Sequence, residues 1–236
     1  MSRDAKDWED LARSEPYFAI LTNAGDPDVE ANIMATAAFW ETGEADVAAL
    51  LAAVATLLRR EIRLSNVLDF GCGVGRLTLP LARYSGRLVG CDIAPTMLEH
   101  ARQNAEKAGL RNVTFISNDD LMRSPDVRFD FICSLLVLQH LPVSLGYDAI
   151  RRLSTLLEPG GIAALQMTFE RPRAGARDGK SVFEQSRAHL SDYDERLVIR
   201  SIESGGAWAV GKLPTQHGDT PGAVVVVEKT SEPQSP

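Results

Sequence analysis

The sequence predicts an α/β fold built on a mostly parallel sheet, and three observations predict it. From Asn66 to Phe169, short apolar runs alternate with segments of helical length. The runs, FDFICSLLVL among them, are almost continuously apolar, as strands are when helices cover both faces of a sheet. The last two runs, 207–213 and 223–229, are joined by a stretch too short for a crossover helix, so they are antiparallel neighbours. The expected architecture is a doubly wound sheet of seven strands with helices on both faces, parallel except for an antiparallel last strand.

Residues 4–22 carry an uneven apolar stripe, Trp8, Leu11, Ala12, Tyr17, Phe18 and Ile20, and read as a helix and its exit. Asn23–Asp28 (NAGDPD) is a loop by its Gly, Pro and Asp content. A helix is expected over 43–60, where Val47, Leu50, Leu51, Val54, Leu57 and Leu58 share one face. Thr42 would cap it, with Glu44 and Asp46 at the positive end of its dipole. Strands follow at 66–70, 87–92, 112–117, 129–136 and 162–169. The helices between them fall at 75–84, 95–108 and 145–157. Gly109 ends the second of these helices, and Pro159, Gly160 and Gly161 end the third. Residues 170–191 are polar and rich in arginine, and read as a long loop or lid. A last helix spans 193–204. The expected organisation is a helical N-terminal cover over 1–42, a main domain over 43–230 with the lid-like loop at 170–191, and a disordered tail at 231–236.

Composition narrows the function. The chain has 236 residues, 44% of them hydrophobic, enough for a substantial core. Lys+Arg number 25 and Asp+Glu 32, a net charge of -7, which argues against a nucleic-acid partner. Cys72, Cys91 and Cys133 form no CxxC pair and sit in apolar runs, so they read as buried, reduced thiols of a cytoplasmic protein. MSRDAKDWED has no apolar core and is not a secretory signal. No apolar run approaches the ~20 residues of a membrane span. No cluster of acids, histidines or cysteines suggests a metal.

The first strand runs into VLDFGCGVGR, where Gly71, Gly73 and Gly75 make G-x-G-x-G. This spacing is one residue shorter than the dinucleotide fingerprint, and no phosphate-binding G-x-x-x-x-G-K-[ST] is present. A glycine turn alone is weak, because turns need glycine for positive φ whatever they bind. Its companions strengthen it. Asp69 precedes the glycines within the strand, and Asp92 ends the second strand in VGCD, where a carboxylate can hold both ribose hydroxyls of an adenosine. Asn118 and Asp119 end the third strand and can meet an adenine amine, with Ile93 or Leu121 against its face. Asp119 and Asp120 also read as helix-capping carboxylates, and Asp120 is the one expected to do only that.

VLDFGCGVGR, VGCD, SNDD and FDFICSLLVLQHLP together resemble a class I S-adenosylmethionine-dependent methyltransferase of the small-molecule type. The resemblance covers residues 40–170 by motif, and the closing antiparallel strand extends it by topology. It implies a Rossmann-like sheet and S-adenosyl-L-methionine as cofactor. It places Asp69, Gly71, Gly73 and Gly75 around the methionine part, Asp92 at the ribose, and Asn118 and Asp119 near the adenine. Cys72, Ile93, Met97, Leu121, Ser134 and Leu135 complete the expected cofactor contacts.

The implied reaction is in-line displacement on the sulfonium methyl by an O or N nucleophile of a small molecule. His140, directly after the fourth strand, can serve as base, or can cap the next helix or pack beneath the pocket. His189 is a second candidate base, or a loop residue. Tyr17, Trp40 and Gln139 are candidate substrate contacts, with core packing as the alternative for the two aromatics and polar filling as the alternative for Gln139. The absence of an N/D-P-P-Y/F turn argues against nucleic-acid amines. The other readings are a protein or RNA methyltransferase and a non-catalytic partner subunit that binds the cofactor. The sequence is silent on oligomeric state.

Overall fold

The computed structural model describes residues 3–14, 16–17, 37–124, 126–169, 191–217 and 220–230. Phe18, Ile20, the NAGDPD loop, residues 170–190 with His189, and the tail lie outside these. The chain divides into two compact units, Met1–Ser134 and Leu135–Pro236.

The first unit opens with helix α1 (Arg3–Ser14) and α2 (Ala37–Leu58). Strands β1 (Asn66–Phe70), β2 (Arg87–Asp92), β3 (Val113–Ser117) and β4 (Phe129–Ser134) then alternate with α3 (Thr78–Tyr84), α4 (Pro95–Lys107) and the short α5 (Asn118–Met122). The strands run parallel in the order β3-β2-β1-β4, with Asp69 level with Gly90 on β2 and Cys133 on β4. Val67, Leu68, Leu88, Phe131 and Ile132 are fully buried, as the apolar runs require. Each such side chain contributes about 1.5–3 kcal/mol of burial. The apolar run of β4 holds one charge. Asp130 is buried and accepts the N–H groups of Ser65 and Asn66 at 2.9 and 3.1 Å, with Arg63 at 3.2 Å, so it ties down the start of β1.

The second unit opens with a 3-10 turn (Leu138–His140) and α6 (Val143–Thr155). It continues through β5 (Leu157–Phe169), β6 (Asp192–Tyr193), α7 (Glu195–Ser204), β7 (Trp208–His217) and β8 (Thr220–Glu228). β8 lies between β5 and β7, antiparallel to both, and β6 pairs parallel with β5. The α/β class, the parallel alternation and the antiparallel last strand are thus as the sequence predicts.

Several boundaries move. The long helix starts at Ala37, so Thr42 lies inside it and donates its hydroxyl to the Phe39 carbonyl at 2.7 Å instead of capping. Glu44 and Asp46 leave the dipole's positive end and pair with Arg83 and Arg76. The expected stop at Pro159–Gly161 is inside β5. Gly160 takes φ +76° there, and its N–H reaches the Lys229 carbonyl at 2.6 Å, which lets the strand continue. The last helix begins at Glu195, two residues late, because Asp192 and Tyr193 pair with β5. Asp194 caps it by accepting the N–H groups of Arg196 and Leu197. All three cysteines are buried and free, as expected.

Candidate functional site

The glycine turn follows β1 and is stitched to the end of β2. The Gly71 and Cys72 N–H groups both donate to the Cys91 carbonyl, at 2.7 and 3.0 Å. Gly71, Gly73 and Gly75 take φ of 79°, 51° and 96°, a backbone that other residues rarely adopt. A Cβ on Gly75 would lie 2.6 Å from Leu79 Cδ1, so this glycine also allows the turn to pack tightly.

Two carboxylates flank the turn. Asp92 is half-buried and spans it. One oxygen accepts the Gly73 N–H at 2.9 Å, and the other accepts the Ala94 N–H, at the start of α4, at 2.9 Å. Burial pushes its carboxyl above the ordinary range, against the pull of these backbone bonds. A carboxylate offers about four acceptor sites, so Asp92 keeps capacity for ligand hydroxyls. Asp69 is 2% exposed and accepts the Thr78 hydroxyl at 2.6 Å. Burial raises its carboxyl to about 6. The Thr78 bond opposes that rise, the neighbouring Asp92 charge adds to it, and the Arg76 charge opposes it. A buried carboxylate of this kind gains most from a cationic ligand group, such as an amino acid's ammonium. These residues fit S-adenosylmethionine, a nucleoside joined to an amino-acid arm.

The remaining predicted contacts divide by exposure. Ile93 and Asn118 are half-buried, and Asp119 is exposed. The Asn118 side-chain oxygen accepts the Cys91 thiol at 3.0 Å. Cys72, Met97 and Leu121 are buried side chains, Leu121 fully so. Ser134 is fully buried at the end of β4, its hydroxyl without a partner among the described residues. Asp120 completes a capping box. The Ser117 hydroxyl accepts the Asp120 N–H at 3.1 Å and donates to its carboxylate at 2.6 Å.

Helices α1 and α2 pack beside this turn. Ala12, Phe39, Val74, Ala94 and Met97 form one buried cluster, with Trp8, Tyr17 and Trp40 against it. Tyr17 meets Phe39 edge-on at 5.5 Å. Trp40 also lines a groove of about 260 Å³ with Leu79, Arg83, Asn104 and Lys107. Glu9, 7% exposed on α1, accepts the Thr96 N–H at 3.1 Å and the Thr96 hydroxyl at 2.6 Å, and so docks α1 on the start of α4.

In the second unit, Leu135 and His140 are half-buried and Gln139 is 2% exposed. Leu136 takes φ +62°, a strain of about 1–2 kcal/mol for an L residue. Among the described residues, no group of three or more His, Cys, Asp or Glu side chains is arranged to hold a metal, and no helix is long and apolar enough to cross a membrane.

Sequence reasoning missed Arg76, Thr78 and Gly43. Arg76 is 3% exposed and pairs with Asp46 at 2.6 Å. A Cβ on Gly43 would lie 2.3 Å from the Arg76 carbonyl oxygen, so the glycine lets α2 touch the turn. None of the three has a signature of its own. The importance of Arg76 and Gly43 comes from partners about 30 residues away, and that of Thr78 from Asp69, nine residues back.

Residues 67–161 match a family described as a methyltransferase domain. A ubiquinone biosynthesis O-methyltransferase of Methylocella silvestris is 35% identical over 97 residues, 41% of this chain and 37% of that protein. The chain spans less than half the length of the curated relatives it matches. Among solved structures, magnesium protoporphyrin IX methyltransferase of Synechocystis PCC 6803 with bound SAM superposes with a TM-score of 0.67. It is 19% identical, covering 98% of this chain and 99% of that one. The N-methyltransferase NodS of Bradyrhizobium japonicum, in complex with S-adenosyl-L-homocysteine, gives a TM-score of 0.62 at 18% identity, covering 94% and 98%. These likenesses establish the fold over nearly the whole chain.

Proposed function

We propose that this chain, which belongs by motif and fold to the class I S-adenosylmethionine-dependent methyltransferases, moves a methyl group to an oxygen or nitrogen nucleophile of a small molecule. The observation that carries the reading is Asp92, a carboxylate that bridges the Gly73 and Ala94 backbones beside the glycine turn and still has room to accept hydroxyls. When bound, the cofactor supplies an already activated sulfonium methyl, so the protein's work is alignment. Asp92 would hold the ribose, Asp69 the ammonium, and Asn118 the adenine edge. The glycine turn leaves its backbone open to close approach. His140, at the end of the 3-10 turn, is the proposed proton acceptor for a nucleophile that has to lose a proton. His189 lies outside the described residues and is the rival for that role. Gln139, Tyr17 and Trp40 are proposed acceptor contacts. Oxygen leads as the methylated atom, because the curated relatives are O-methyltransferases. A cytoplasmic location belongs to the same reading, supported by three buried, unpaired thiols.

Calorimetric titration with S-adenosylhomocysteine and, separately, with NADH tests it. S-adenosylhomocysteine should bind and NADH should not. Asp92→Ala should weaken the first by about 100-fold, the value of two hydrogen bonds to a charged acceptor. Binding of NADH, or of neither, overturns the reading.

A further inference from the structure

Leu136, two residues beyond β4, sits in the left-handed region with φ +62°. A side-chain-bearing residue persists there only where its surroundings over-determine it. The surroundings are specific. Gln166, on β5 and 6% exposed, accepts the Leu136 N–H at its Oε1 at 3.1 Å. Tyr193, fully buried on β6, donates its hydroxyl to the Leu138 carbonyl at 2.6 Å. The Ser191 N–H donates to the Gln139 carbonyl at 2.7 Å, and Ser191's own carbonyl accepts the Thr168 hydroxyl at 2.8 Å. Tyr193 fits only because residue 146 is glycine, where a Cβ would fall 1.9 Å from the tyrosine oxygen. Three of four neighbouring residues, 136, 138 and 139, are therefore each fastened by a group from a distant part of the chain.

The fastened stretch carries the side chains that the proposed function assigns to the acceptor. Gln139 is almost fully buried, yet its side-chain carbonyl has no hydrogen-bond partner among the described residues. A buried acceptor left in that state is costly unless a donor arrives. A turn built only to connect a strand to a helix needs neither the strain nor the open acceptor.

We propose that Gln166 and Tyr193 are positioning residues for methyl transfer. They lock the Leu136–His140 backbone so that Gln139 and His140 meet the acceptor in one geometry. The inference rests on the proposed function. Small displacements of an aligned reactant cost rate more than affinity. A loosened turn should therefore lower kcat while leaving cofactor binding intact.

The test takes the compound that the wild-type protein methylates fastest from a panel of catechols, phenols, carboxylic acids and amines. The acceptor's kcat and KM and the Kd of S-adenosylhomocysteine are measured for wild type, Gln166→Leu, Gln166→Glu and Tyr193→Phe. Gln166→Leu should lower kcat by about 10-fold or more, with a smaller change in KM and with Kd within about twofold. Gln166→Glu keeps a carbonyl acceptor, protonated in that buried place, and should recover most of the rate. Tyr193→Phe should lower kcat by about threefold or more. A folded Gln166→Leu protein with wild-type kcat overturns the inference and leaves the function standing. If Gln166→Leu does not fold, Tyr193→Phe decides, and an unchanged kcat there overturns it equally. Tight binding of S-adenosylhomocysteine with no methylation of any panel compound removes the proposed function, and this inference with it.

Discussion

Asp69 makes the protein's stability depend on pH in a direction opposite to that of most carboxylates. The perturbation is Asp69→Asn, which keeps the shape and an oxygen to accept the Thr78 hydroxyl. In the folded protein the carboxyl is 2% exposed and titrates at about 6, against an ordinary 3.8, chiefly because burial disfavours its charge. The folded state therefore holds the proton more tightly than the unfolded chain. This contribution is fully present below pH 3.8 and is lost as pH rises through about 6. At about 1.4 kcal/mol per pH unit, the span from 3.8 to about 6 is worth about 3 kcal/mol. Asparagine carries no such cost. In urea unfolding of the ligand-free protein, the stability of Asp69→Asn relative to wild type should rise by about 2.5 kcal/mol between about pH 4 and about pH 7.5, most steeply at pH ~5. Curves that run parallel across that window would refute the reasoning, because they would show that Asp69 ionises as freely in the fold as in the unfolded chain.

Two further substitutions probe the supports of the turn. Gly43→Ala normally stabilises a helix by about 1 kcal/mol. Here the added Cβ would press on the Arg76 carbonyl, so thermal melting should show a loss of about 1–3 kcal/mol. A gain would mean that α2 does not touch the turn. Glu9→Ala removes the acceptor of both Thr96 bonds, from a carboxyl that burial pushes up but that the Thr96 and Arg13 bonds hold below its ordinary range. It should cost about 1–2 kcal/mol in urea unfolding and shift Trp8 fluorescence toward that of a water-exposed indole. Unchanged emission would show that α1 stays docked without Glu9.

The sequence by itself determined the class of the fold and the place of the glycine turn. Strand and helix period, apolar runs and glycine spacing are local properties, and each survives without knowledge of what packs against what. For that reason β1 and β2 fall where expected to the residue, and Asp69, Asp92 and the three glycines are legible as a set. The tertiary structure decided what long-range contact alone can decide. Thr42 looks like a cap until the helix is seen to begin at Ala37. Asp130 looks like one polar residue in an apolar run until it receives two N–H groups from the start of β1. Arg76, Gly43, Gln166 and Tyr193 have ordinary local sequence, and their importance lies in a partner 30 or more residues away. Burial divided the expected cofactor contacts in the same way. Asp92 and Ile93 are half-buried, while Leu121 and Met97 are core side chains. Periodicity tells which side of an element is apolar. It does not tell which of those apolar side chains the fold leaves uncovered, because that depends on neighbours the chain brings back from far along its length.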